Sequence, residues 1–123
     1  MNDLTEQKSK DAIYKIVLIV KQILNSEVED DLEIARKCVE IDHLRYEAEL
    51  IDSRSDELFD IFGVKGIQDI FDDHGIPLRE NVRQRWNAES LKKLDIELKE
   101  IIEFYKKDIL ENCKLILQKY GNN

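Results

Sequence analysis

Helix breakers are confined to two places in this chain, and their placement limits its fold more than any other feature. The four glycines are Gly63, Gly66, Gly75 and Gly121, and the single proline is Pro77. Glycine loosens the backbone and proline removes an N–H donor, so both weaken or end a helix. Neither occurs from Leu4 to Phe62, nor from Leu78 to Tyr120. Breakers gathered into one short central stretch and the tail predict an all-α fold with a jointed middle.

The apolar pattern fills in the elements. A first helix is expected from Leu4 to Leu24, capped by Asp3 with Glu6 completing a capping box. Ile13, Ile16, Val17, Val20, Ile23 and Leu24 follow the helical period, and Leu18 and Ile19 carry apolar surface almost round the rod, as in a central bundle helix. The β-branched run at residues 16–20 would also suit a strand, but no second strand of similar quality exists to pair with it. Ser26 opens a second capping box, followed by Glu27, Glu29, Asp30, Asp31 and Glu33, where the helix dipole favours negative charge. The second helix places Ile34, Cys38, Ile41, Leu44, Ala48, Ile51, Leu58 and Phe62 on one stripe. Unbroken from Glu27 to Phe62 it would be about 54 Å long, and residues 52–56 offer fresh N-caps for a break near Ser53.

Gly63 before Val64, and Gly75 before Ile76, read as Schellman helix ends around a short helix from Ile67 to His74. Pro77 suits the first turn of another helix, bearing Leu78, Val82 and Trp86. Asn87 or Ser90 caps the last one, with Leu91, Leu94, Leu98, Ile101, Ile102, Tyr105, Ile109, Cys113, Ile116 and Tyr120 on its buried face. The expectation is a single helical domain over residues 1–123: an antiparallel bundle of two or three long helices joined by short central ones.

The longest apolar run, residues 16–20, is far short of the roughly 20 residues a membrane span needs. The first residues, Met1, Asn2, Asp3 and Leu4, carry no basic n-region and do not read as a signal peptide, so a cytoplasmic location is expected. Cys38 and Cys113 lie on apolar stripes and read as small buried hydrophobes in a reducing compartment. Acids outnumber bases 27 to 19, giving a net charge of −8. Counterion release on nucleic acid needs the opposite sign, so neither direct nucleic-acid binding nor an anionic membrane is expected. A basic protein partner is the electrostatic match.

Glu49, Asp52, Asp56 and Asp60 recur at steps of three and four, which aligns four carboxylates on one face, with Asp42 further back on the same line. They suit either a basic partner or Mg²⁺, which takes oxygen ligands. Glu49-x-x-Asp52 and Glu57-x-x-Asp60 resemble the acidic motifs of the all-helical nucleotide pyrophosphohydrolases, although the doubled-acid motif opposite them is missing. That resemblance implies magnesium and a nucleoside triphosphate. Arg36 and His43, seven residues apart, resemble the ribonuclease motif of some helical toxin domains, but Lys37 stands where a polar residue is expected. His74 suits the negative end of a helix dipole. Residues 77–93 carry Arg79, Arg83, Arg85, Lys92 and Lys93 against Glu80 and Glu89, a local balance of +3 around the only tryptophan, Trp86. Tryptophan and arginine dominate interface hot spots.

Catalytic triads, phosphate-cradling glycine loops and Cys/His metal spacings are absent from the sequence, so no cofactor is expected. The reading favoured is a small acidic cytoplasmic module that binds a basic protein, as an inhibitor of a toxin, nuclease or defence enzyme. Glu49, Asp52, Asp56, Asp60, Arg79, Arg83, Arg85 and Trp86 are its candidate contact residues. A Mg²⁺-dependent nucleotide pyrophosphohydrolase and a self-associating assembly subunit are the alternatives.

Overall fold

In the computed structural model of the chain, residues 3–25, 30–48, 58–62 and 67–121 are described, with backbone alone at 3–5, 60 and 67–69. The described residues include the helices α1 (Asp3–Leu24), α2 (Asp31–Glu47), α3 (Ile67–His74), α4 (Glu80–Arg83) and α5 (Ala88–Tyr120), with Leu58 and Phe59 helical ahead of a 3₁₀ turn at Asp60–Phe62. No strand occurs among the described residues, and residues 16–20 lie inside α1. The chain is an all-α bundle in which α1, α2 and α5 pack on one another while the 3₁₀ turn and α3 close over α2 and α5.

Each long helix contributes one apolar stripe. Ile16, Ile19, Val20 and Ile23 of α1 meet Ile34, Ala35, Cys38 and Ile41 of α2 and Leu98, Ile102, Ile109, Cys113 and Ile116 of α5 in one buried cluster. Among the described residues α1 packs on α2 and α5. Tyr14 and Leu18 stay exposed, which corrects the expectation of a central helix surrounded by others. Phe59, just before the 3₁₀ turn, and Phe62, its last residue, are fully buried, with ring centroids 6.4 Å apart.

The caps explain the element boundaries. Asp30 precedes α2 and its carboxylate accepts the Leu32 N–H at 3.2 Å; the capping box at residues 26–29 lies outside the described residues. The second helix ends at Glu47, where the Ala48 N–H bonds back to Leu44 O, well before the joint expected near Ser53. That joint and Ile51 lie outside the described residues, as does Gly63. α3 ends in a full Schellman motif, with Gly75 N–H on Asp72 O at 3.1 Å and Ile76 N–H on Phe71 O at 2.9 Å. Gly75 sits at φ +67°, the left-handed region that glycine enters freely, and buried Ile76 and Phe71 make the accompanying apolar contact. Asn87 opens α5 by accepting the Glu89 and Ser90 N–H groups at 2.8 and 3.4 Å.

The helix expected to begin at Pro77 is shorter and begins later. A helix there would need the Pro77 and Leu78 carbonyls for its own ladder. Arginine side chains take both: Arg83 Nη1 donates to Pro77 O at 2.8 Å and Arg36 Nε to Leu78 O at 2.6 Å. Residues 77–79 are therefore extended, and α4 is a single turn starting at Glu80.

Candidate functional site

Those two arginines fix the most distinctive surface of the molecule. Arg36 reaches out from α2, donating to Glu33 and, at 3.2 Å, to Glu80. Partial burial lowers its pKa, but hydrogen bonds and Coulomb attraction from Glu33 and Glu80 outweigh that, and the net shift is upward. Arg83, buried on α4, directs Nη2 at both oxygens of Asp95 on α5, at 2.7 and 2.6 Å. Residues 77–80 are thus gripped from α2 on one side and tied to α5 on the other.

Between α2 and this strap lies a groove of about 420 Å³, lined by Val39 and His43 of α2, Phe71 and Asp72 of α3, and residues 76–79 and 82. Its floor is aliphatic and aromatic, while Asp72 and Arg79 bring charge, and His43 an imidazole, to its rim. The surface continues past Val82 to Trp86. Residues 79–86 remain helical in their bonding, with Arg83 N–H on Arg79 O and Trp86 N–H on Arg83 O. Val82 and Trp86 are 38% and 41% exposed, so more than a third of each side chain is open to a partner.

The expected contact residues divide among these features. Arg79, Arg85 and Trp86 are exposed, and Arg79 lines the groove. Arg83 is buried in its ion pair, so it shapes the surface from beneath. Glu49, Asp52 and Asp56 lie outside the described residues; the backbone of Asp60 belongs to the 3₁₀ turn, but its side chain is also outside them. Asp42 does not extend a solvated acidic line. Both it and Arg45 are 4% exposed and pair at 3.2 Å within the buried stripe of α2, and Arg45 also covers the Tyr46 ring at 4.8 Å. A pair inside the stripe satisfies two charges at positions that packing would otherwise give to apolar residues.

Arg36 and His43 do share one side of α2, but Arg36 is committed to Leu78, Glu33 and Glu80, whereas His43 opens onto the groove. His74 ends α3 as expected and lies 3.3 Å from Glu97 of α5. Cys38 and Cys113 are free and fully buried. Burial drives the Cys38 pKa up, with the neighbouring Cys113 adding to the shift, and the Cys113 pKa is pushed up to about 12 by burial. Both thiols therefore stay protonated at neutral pH. Among the described residues no group of three His, Cys, Asp or Glu side chains is placed to hold a metal ion, and no helix is long and apolar enough to cross a membrane.

Val39, Phe71 and Asp95 escaped the sequence reading. Val39 sits on the flank of the α2 stripe, and nothing in the sequence connects Asp95 with Arg83 twelve residues earlier. No protein-family model, curated protein or solved structure matches the chain.

Proposed function

We propose that this protein acts by binding a positively charged protein partner, as a cytoplasmic inhibitor of the kind that covers a basic functional surface. The observation that carries the reading is how unevenly charge is distributed. Residues 26–60 hold thirteen acids and four bases, a balance of −9, while the rest of the chain holds fourteen acids and fifteen bases. The whole negative excess thus lies in α2 and its flanks, where Asp30, Glu40 and Glu47 are exposed. Segregated charge steers a partner of opposite sign into one orientation and raises its association rate. The adjoining groove, which includes Val82, and the exposed indole of Trp86 four residues on supply apolar area for the contact to persist once formed.

The test needs the partner, recovered from native cells, and its association rate as ionic strength rises. At 0.15 M salt Coulomb attraction reaches only about 8 Å, so association should slow between 0.02 and roughly 0.3 M. Glu40→Lys with Glu47→Lys, and separately Asp52→Lys with Asp56→Lys, should slow it further while leaving the helical spectrum intact. Association unaffected by salt and by both double reversals would end the acidic-surface reading.

A further inference from the structure

A second concave feature lies on α1, distinct from the α2 groove. Lys10, Tyr14, Val17 and Lys21 recur at steps of four, three and four, so they share a stripe about 16 Å long. With Ile13, and with Tyr120 and Gly121 from the end of α5, they line a groove of about 440 Å³. Small-ligand sites span roughly 300–1,000 Å³ and are mostly apolar with a few polar groups. Val17 is buried and makes the floor, while Tyr14, 64% exposed, stands as one wall. Tyr120 is the other, with the Lys119 ammonium 5.3 Å from its ring centroid.

The charges at this groove oppose those of the molecule. Its charged lining residues, among those described, are Lys10 and Lys21. Among the described residues neither ammonium is paired with a carboxylate, although the chain has 27 acids. Asp11, beside Lys10, is instead hydrogen-bonded to Gln7 at 2.9 Å. Two unpaired cations at the ends of an apolar trough call for a ligand with an apolar body and an anionic head. Among the described residues the α5 wall is formed by Tyr120 and Gly121. An anionic membrane would meet the net charge of −8, so a monomeric ligand fits better than a bilayer.

We propose that this groove binds a free medium-chain fatty acid. Its acyl tail lies along Ile13 and Val17 between the two tyrosine rings, and its carboxylate pairs with Lys10 or Lys21. The site is separate from the partner-binding surface and does not depend on it.

Titration of the isotopically labelled full chain with dodecanoate below its micellar concentration, followed by amide chemical shifts, tests this directly. Saturable one-to-one binding is expected, with shifts concentrated at residues 10–21 and 120–121. The same chain bearing a trimethylammonium head should bind about tenfold more weakly, because its charge faces two lysines. Lys10→Glu with Lys21→Glu should weaken dodecanoate binding about fivefold, the scale of exposed charge pairs, and Tyr14→Ala should weaken it with no change in helicity. Non-saturating shifts, equal binding of the cationic amphiphile, or unchanged binding by the charge-reversed variant would overturn the proposal. So would a dimer in sedimentation equilibrium that Tyr14→Ala dissociates, since a second copy would then occupy the groove.

Discussion

Replacing Arg83 with methionine isolates what holds the 77–86 surface together. Methionine keeps most of the apolar stem, so the loss is confined to the guanidinium and its bonds. Two interactions disappear: the contact of Nη2 with both Asp95 oxygens, and the Nη1 bond to Pro77 O. Exposed ion pairs contribute about 0–1 kcal/mol, whereas breaking a fully buried pair costs about 3–5 kcal/mol. Here the Arg83 side chain is 9% exposed but Asp95 is 44% exposed, and a half-solvated carboxylate rehydrates when its partner leaves. The pair is therefore discounted to about 1 kcal/mol, with about 1 kcal/mol more for the carbonyl bond. Arg83→Met should cost about 2 kcal/mol in total. For a chain of 123 residues that corresponds to a fall of about 8 °C in Tm.

Asp95→Asn removes the charge yet leaves the Pro77 bond intact, so it should cost only about 1 kcal/mol. In the methionine background it should cost almost nothing, which gives a coupling energy of about 1 kcal/mol in a double-mutant cycle. Urea unfolding followed by circular dichroism reads the global values. Trp86, three residues from Arg83, reports locally, and in Arg83→Met its emission should shift to the red before the global transition. Additive single effects would refute the pairing, and an Asp95→Asn cost equal to that of Arg83→Met would refute the role given to the Pro77 carbonyl.

Gly75→Ala meets no atom within 4 Å, so its cost is that of left-handed backbone alone, about 1–2 kcal/mol, and thermal melts should show it without loss of helix content. Trp86→Ala should lower stability by about 1 kcal/mol or less, given its exposure, yet speed dissociation of a bound partner; a large fall in Tm would make the indole core instead. The buried thiols set an alkaline limit. Their folded pKa values are raised above the ordinary 9.0, so their contribution is full below pH 9 and is lost as pH rises from there towards 12. Urea midpoints between pH 8 and 10.5 should fall less steeply in the Cys38→Ala, Cys113→Ala double variant than in the natural protein.

The architecture was legible because the signals that set it are local. α3 occupies the residues that the two glycines imply, and Asn87 caps α5, since a capping side chain acts within three residues of itself. What sequence reading lost was long-range or directional. Residues 77–79 left the expected helix because guanidinium groups from Arg36, about forty residues upstream, and from Arg83 claimed its carbonyls. Charge alone puts Asp42 on the exposed acidic line, whereas the i, i+3 spacing lets it pair with Arg45 inside a wide buried stripe. The stripe of Lys10, Tyr14, Val17 and Lys21 was readable on α1, but its second wall, Tyr120, comes from the opposite end of the chain. The exposed indole of Trp86 beside an aliphatic groove needed the strap's extended path, which composition does not encode.

The strap at residues 77–80 is held by charged and neutral contacts that should differ in their sensitivity to salt. On the α2 side the Arg36, Glu33 and Glu80 side chains are 29%, 43% and 67% exposed, so counterions can compete for them. On the α5 side Arg83 is 9% exposed, but its partner Asp95 is 44% exposed, so counterions can compete there too. The bonds from Arg36 to the Leu78 carbonyl and from Arg83 to the Pro77 carbonyl have uncharged acceptors and should be far less sensitive to salt. The path of the strap over the α2 groove should therefore outlast the ion pairs around it as ionic strength rises.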